Sequence, residues 1–514
     1  MASSQPGKYE SWEKERLISR IRQLEDELES RPRAKTPPPA KRKPRRADAS
    51  RYSTRFIALK LAYLGKRYGG FEFAPSAAKP TIEGKLWEAL TKACLIFPED
   101  PDFVNFDCCE YSKCGRTDRG VSAFGQVIGL RVRSSRPLPK PAVAEGEPDA
   151  AAVAEKMEEE IAAEEKKRKA AEEWTDAQEI DYINTLNRLL PDDIRILAWC
   201  PSPPPDFSAR FSCEEREYRY FFTQPAFAPT EGSSGPGLQE GYLDIEAMND
   251  AAQRFVGNHD FRNFCKVDGS KQITNFERHM FEAKVVEVAD VGTALPYLGA
   301  DAAAASGGDG VLPKVYSFNI RGTAFLWHQI RHIVSILFLV GQRLETPDIV
   351  TRLLDVEKSP QKPNYDLAHE TPLVLWNCVF PGDAASRTSA TSAAALRWVY
   401  GGADVVESMW ANWREKKMDE LLSNRLLDLA SGQVRATAAR AKGKRVFSGG
   451  PSGKLSGGYV PIAKKQLTPT PQDINDRWAQ RKGFKNSEEM KESKNWRQTI
   501  KEAKRAAKED AGDE

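Results

Sequence analysis

CxxC pairs, cysteine–histidine zinc motifs and long apolar runs are all missing from this chain of 514 residues. Its 8 cysteines are scattered without a CxxC pair, and with its 5 histidines also dispersed the chain shows no combined cysteine–histidine pattern of a zinc site. That pattern predicts reduced thiols in an intracellular protein and no bound metal. The longest apolar candidate, Ile333 to Val340, is far too short to span a bilayer, so no membrane partner is expected. The N-terminus is charged and lacks the apolar core of a secretory signal. Neither GxxxxGK followed by Ser or Thr nor GxGxxG occurs, which leaves nucleotide-cofactor chemistry without support. Net charge is only +3, unevenly spread. Hydrophobic content of 40% with 29% charged residues describes a globular core diluted by polar extensions.

What is present divides along the chain. In residues 1–50, Leu17, Ile21, Leu24 and Leu28 recur at a 4-3-4 spacing, the mark of a short coiled-coil helix over 8–31. A Pro-rich linker follows, with Lys41-Arg42-Lys43-Pro44-Arg45-Arg46. That cluster fits a nuclear-import signal, an RNA-contacting arm or a plain solvated linker alike. Residues 55–205 read as one α/β half: strand at 56–63, helix opened by Thr81, strands near 106–113 and 127–133, helix from 176, and strand Ile194 to Trp199. Its stretch 134–173 is Pro-rich and then Ala/Glu/Lys-rich, with few large apolar residues, and reads as a charged insertion.

Residues 206–383 repeat the theme. A strand lies within 211–222 and a helix over 244–256, followed by the polar-aromatic loop Gly257-Asn258-His259-Asp260-Phe261. Strands near 278–289 and 315–322 lead to a buried helix from Phe325 to Gly341, whose polar stripe is His328, Arg331 and His332. The last strand is Leu373 to Phe380. The expected fold is α+β: two split-βαβ (ferredoxin-like) halves forming a central mixed sheet, with flanking helices and an RNA cleft. Trp398, Trp410 and Trp413 suggest a small helical piece over 384–430. In 431–514 Lys and Arg outnumber Asp and Glu roughly two to one, the composition of a basic, mobile tail that binds phosphate backbone.

Chemistry concentrates in three stretches. In Cys114-Gly115-Arg116-Thr117-Asp118-Arg119-Gly120, one carboxylate sits in a tight turn with Arg116 two residues before it. An adjacent cation keeps a carboxylate ionised and oriented, one way to prepare a nucleophile; the same residues also make an ordinary turn. The Arg/Tyr alternation of Arg216-Glu217-Tyr218-Arg219-Tyr220 supplies phosphate contacts and a stacking face for an unpaired base. Phe325 to Arg331 and the strand from Leu373 add an apolar wall. No second carboxylate stands at fixed spacing from Asp118, so a glycosidase-like pair is not indicated. Cys108, Cys109 and Cys114 read as buried structural thiols.

Four stretches in order carry a family resemblance. Gly115 to Ala123 resembles the GRTDxGVxA signature of the TruA family of tRNA pseudouridine synthases. Ala209-Arg210-Phe211-Ser212 with Tyr218-Arg219-Tyr220 is similar to its ARFS…YRY stretch, Gly257 to Phe261 to its GxxDF, and Phe325 to Arg331 with Gly341 to its FxxHxxR…VG helix. Cys114 to Asp118 with Phe124-Gly125-Gln126-Val127-Ile128, Ile194 to Trp199, and Pro360-Gln361-Lys362-Pro363 resemble the eukaryotic branch, which acts on tRNA positions 38 and 39 in the anticodon stem-loop. The resemblance implies a uridine isomerase with Asp118 as nucleophile, attacking base or sugar, and with no metal, redox cofactor or nucleotide. It implies Arg116 beside Asp118, Tyr218 stacked on the uracil and Leu373 closing the pocket, although Pro372 replaces the usual Gly before it. Expected RNA contacts are Lys113, Arg119, Arg210, Arg219, His328 and Arg331. The expected partners are tRNA and a second copy of the chain, in nucleus and cytoplasm. The rival from another class is a catalytically silent tRNA-binding or RNA-chaperone protein.

Overall fold

The computed structural model describes residues 13–30, 49–138, 175–227, 241–288, 313–383, 395–433, 445–450, 454–455, 459–493 and 496. The chain forms two compact units, 1–48 and 49–514. In the first, α1 (Lys14–Ser30) is the expected helix, and Ile18 and Ile21 on it are exposed. The basic cluster 41–46 and nearly all of the charged insertion lie outside the described residues.

In the second unit, β1 (Ser53–Tyr63), β2 (Ser112–Lys113), β3 (Ser122–Ser134) and β4 (Ile194–Cys200) form the first half of a sheet. Helices α2 (Ile82–Lys92) and α3 (Tyr182–Asn187) complete that half. The second half holds β5 (Glu215–Gln224), β6 (Gly257–Asp260), β7 (Glu277–Glu287), β8 (Lys314–Gly322) and β9 (Leu373–Val379). Its helices are α4 (Ile245–Gln253), α5 (Gln329–Gly341) and α6 (Asp348–Leu354). With β10 (Val399–Tyr400) at one edge, the strand order is β10-β4-β1-β3-β9-β5-β8-β7-β6, and β2 lies beside β3. The orders β4-β1-β3-β2 and β9-β5-β8-β7 are the same 4-1-3-2 arrangement of a βαββαβ unit, used twice. The two copies join where Ser122 and Ala123 of β3 run parallel to Val374 and Leu375 of β9. All other described strand pairs are antiparallel.

Each half buries its own apolar face. Leu59, Leu86, Leu90 and Ile128 pack in the first, and Phe261, Phe318, Ile333 and Phe338 in the second; Tyr218 packs against both cores. Thr81 caps α2 by accepting from Gly84 N at 3.2 Å, as its sequence position predicts.

Three elements depart from the expectation. The strand near 106–113 is mostly a 3₁₀ turn over Phe106–Cys109, because Asn105 caps it and Phe106 stacks on Tyr111 at 4.3 Å. The loop at 257–261 includes a paired edge strand, β6. The helix expected from Phe325 begins at Gln329, because His328 adopts φ 61° at its N-terminal edge. This turns Trp327 and His328 out of the helix and toward the first half.

The C-terminal region is also more ordered than its composition suggests. Helix α7 (Ala403–Gln433) is docked at its start, where Arg195 Nε donates to Ser408 Oγ at 3.0 Å and Asn412 Nδ2 to the Asp192 carbonyl at 3.0 Å. Residues expected in a mobile tail pack on the second half instead. Phe447 is buried against Phe338 at 4.8 Å, Ile462 is buried, and Tyr459 donates to Glu345 at 2.5 Å. Helices α8 (Pro471–Gln480) and α9 (Ser487–Glu492) follow, with Gln272 Nε2 donating to the Asn475 carbonyl at 3.1 Å. Among the described residues, no helix is long and apolar enough to cross a membrane.

Candidate active site

The turn that carries Asp118 is held by the chain on every side. Gln126, fully buried on β3, accepts from Gly115 N at 3.0 Å and donates to Gly115 O at 2.8 Å. Tyr63 and Thr117 share a buried hydroxyl bond of 2.7 Å, and Phe71 N donates to Thr117 O at 3.0 Å. Val121 N closes the turn on Asp118 O at 3.2 Å, with Gly120 at φ +79°. A side chain at Gly120 fails twice, since L-residues avoid this φ and a Cβ would stand 2.6 Å from Glu370 Cγ. Asp118 is thus presented by backbone rather than by a mobile loop.

The groups around its carboxylate come from the second half. Trp327 Nε1 donates to Oδ1 at 3.2 Å, and His328 Nε2 lies 3.5 Å from Oδ2. Burial pushes the His328 ring down to about 4, and the neighbouring Arg331 and Lys266 charges add to this, so the imidazole is neutral at pH 7. Its contact with Asp118 is therefore not an ion pair. Arg331, in the first turn of α5, is anchored by donating from Nε to Ala368 O at 2.7 Å and from Nη2 to Glu370 at 2.8 Å. Burial raises the Asp118 carboxyl above its usual range; the Arg331 charge and the Trp327 N–H oppose that rise, and Glu370 adds to it. Asp118, Arg119, Trp327, His328, Arg331 and Glu370 line a cavity of about 390 Å³ where the two halves meet. Such a volume lies in the roughly 300–1,000 Å³ range of small-ligand pockets.

The sequence-predicted residues fare differently. Asp118, Arg119, His328 and Arg331 meet in the pocket. Arg116 does not pair with Asp118: it is exposed, and its nearest carboxylate is Glu72 at 3.5 Å. The cation that faces Asp118 is Arg331, brought across from the second half. Tyr218 and Leu373 stand behind the lining. Tyr218 meets the Phe325 ring edge-on at 5.1 Å, and Leu373 is buried in the second core. Lys113 is committed to Glu83 at 2.7 Å and Glu72 at 3.0 Å. Arg219 is likewise engaged, pairing with Glu217 at 2.8 Å and stacking on Trp376 at 3.9 Å. Arg210 is exposed beside the strongly exposed Phe211.

Sequence reasoning passed over Trp327, Glu370 and Lys266. Trp327 was visible within the Phe325–Arg331 stretch, as a side chain able to donate next to a titratable one. Glu370 and Lys266 gave no local signal. Lys266 is placed by its backbone, whose N donates to Trp327 O at 2.9 Å, with Nζ 4.4 Å above the Trp327 ring.

This is a two-half α+β fold with a backbone-held Asp118 carboxylate in a pocket at the junction, the architecture that the motif resemblance implies. A family model described as tRNA pseudouridine synthase matches residues 251–381, from α4 to β9. The chain is 35% identical over 509 residues to the tRNA pseudouridine(38/39) synthase of Saccharomyces cerevisiae, covering 93% of each chain. It is 37% identical over 419 residues to the tRNA pseudouridine(38/39) synthase of Homo sapiens, covering 77% of this chain and 71% of that one. A tRNA pseudouridine synthase A of Methanothermobacter thermautotrophicus is 30% identical over 304 residues, 59% of this chain and 74% of that one. The chain belongs to the tRNA pseudouridine synthase family, enzymes that isomerise uridine to pseudouridine.

Proposed function

We propose that the chain isomerises uridines 38 and 39 in the anticodon stem-loop of tRNA, with Asp118 as the nucleophile. The positions come from the names of the yeast and human relatives. The observation that carries the catalytic assignment is Asp118 itself: a backbone-held carboxylate in the pocket, bonded by Trp327 and facing Arg331, while the pocket's other carboxylate, Glu370, is tied to Arg331. The uridine leaves its stack and enters the cavity, at a cost of a few kcal/mol that contacts to the flipped nucleotide offset. Attack by Asp118 accompanies cleavage of the N1–C1′ bond. The freed uracil rotates, C5 bonds to C1′ and the bond to the Asp118 carboxylate breaks, releasing it; C5 loses its proton and N1 gains one. Reactants and product are isomers, so no electrons enter or leave. Arg331 keeps Asp118 ionised against the opposing effects of burial and Glu370. Tyr218 stacks on the uracil and Leu373 closes the pocket, which requires the base to pass the Phe325 ring that meets Tyr218.

Arg116, Arg119 and Arg210 are exposed cations available to phosphates, and Lys266 is another, over the Trp327 ring. Because Lys113 and Arg219 already have internal partners, their expected share in RNA contact is small. Retention of the held carboxylate favours an enzyme over a catalytically silent binder. The chain works in nucleus and cytoplasm, as the Lys41–Arg46 cluster suggests, and as a homodimer. Helix α7 supports the dimer, since Val406, Trp410, Trp413, Leu422 and Leu426 on it are all more than half exposed. Sedimentation of the full chain tests this, and a monomer at micromolar concentration rejects it. The site assignment is tested by mapping pseudouridine in tRNA treated with the purified chain. Modification at 38 and 39 is the expected pattern; modification confined to other positions would refute it.

A further inference from the structure

Three cysteines far apart in sequence meet inside the core. Cys114 precedes the Asp118 turn and bonds through its N to Val127 O at 2.9 Å. Cys213 lies in the connection before β5, and Cys378 is on β9. All three are buried, and their Sγ atoms lie within 4.8 Å of one another. Arg216 stands beside them. It is the register partner of Cys378 across the β5–β9 pair, and its Nη2 donates to Cys114 O at 3.2 Å and Arg210 O at 3.0 Å. Its charge is felt at all three sulfurs.

We propose that Cys114, Cys213 and Cys378 form a thiolate site for one thiophilic divalent metal ion, of the Zn²⁺ class. Zinc–sulfur bonds are about 2.3 Å, which places three thiolates of one ion roughly 4 Å apart. The trio therefore has to contract by at most about 1 Å, within reach of small χ1 changes, and no backbone has to move far. Binding releases three protons: M²⁺ plus three thiols gives M(SR)₃⁻ and 3 H⁺. The remaining negative charge is buried, which is unfavourable for an unpaired group. Arg216 supplies the matching positive charge at that place. The site ties together the segment leading to Asp118, the connection between the halves and the strand that follows Leu373. A bound ion thus clips the three elements that build the pocket, and it stabilises the native state by mass action. The trio's geometry is independent of the proposed tRNA substrate.

The test uses the full chain, purified with reductant, stripped with a chelator and titrated with Co²⁺ and then Zn²⁺. The expected result is one Co²⁺ per chain with sulfur-to-cobalt charge-transfer absorption. Zn²⁺ should displace it and raise the melting temperature by several degrees. Cys378→Ser and Cys213→Ser should lose the absorption, whereas Cys108→Ser, at an exposed thiol, should keep it. Because the buried variants can fail to fold, alkylation of the unaltered chain is mapped by mass spectrometry as well. Zn²⁺ should slow labelling of Cys114, Cys213 and Cys378 by at least tenfold while leaving Cys108 unchanged. No charge-transfer absorption at saturating Co²⁺, or equal labelling with and without Zn²⁺, overturns the proposal.

Discussion

Replacing Trp327 with Phe removes one N–H from the carboxylate of Asp118 and leaves an aromatic ring for Lys266 to rest on. Hydrogen bonds to charged groups contribute about 1.5–3 kcal/mol. This one is long at 3.2 Å, and Trp327 is 42% exposed, so water can partly replace it. The expectation therefore falls at or just below that range, about 1–1.5 kcal/mol, or roughly 5- to 12-fold in kcat/KM. The loss should also depend on pH. The N–H favours the ionised form, so its removal lets the Asp118 carboxyl rise further above its usual range. A carboxyl that titrates higher is protonated over more of the acid range, and the acid limb of kcat/KM moves to higher pH. The deficit should therefore be largest at low pH and shrink as pH rises. Tritium release from C5-labelled tRNA, measured across pH for Trp327→Phe and the unaltered chain, reads this directly. Superimposable profiles, or a loss equal at every pH, would refute the role given to Trp327.

Other perturbations probe the frame. Gly120→Ala combines a positive φ with a clash at Glu370 and should cost about 1–3 kcal/mol, seen as a lower urea midpoint. Lys113→Ala takes the cation from the nearly inaccessible Glu83 carboxylate, which keeps its bonds from Phe73 N and Tyr111 Oη, and should destabilise by about 1.5–3 kcal/mol, a loss that a mere RNA-contact lysine would not show in urea unfolding without RNA. Phe447→Ala opens space beside Phe338 and should cost about 3–5 kcal/mol, lowering the melting temperature even though it lies in the basic C-terminal region.

Much of the site was legible because its signals are local. The Asp118 turn, the Arg331 stripe and the paired βα pattern are each set within about ten to twenty residues, where periodicity and turn chemistry act. What stayed hidden is long-range. Arg116 was the natural partner for Asp118 by proximity in sequence, yet the fold points it at Glu72 and brings Arg331 across from the other half. Glu370 gains meaning only because it reaches both Arg331 and the space above Gly120. The three-cysteine cluster has no spacing to read, since its members come from the Asp118 segment, the connection and β9. In the C-terminal region, average composition concealed function of another kind: a few apolar residues, Phe447 and Ile462 among them, dock a chain that is otherwise basic.

The central claim is that the Asp118 carboxylate performs the chemistry and that the surrounding protein binds the RNA. Asp118→Asn keeps the size of the side chain and an oxygen able to accept from Trp327, while removing the charge. Single-turnover conversion of uridine to pseudouridine, measured beside the tRNA dissociation constant of the same preparation, separates the two roles. The account predicts no detectable conversion with tRNA affinity within about threefold of the unaltered chain. Conversion at an undiminished rate in Asp118→Asn would contradict it.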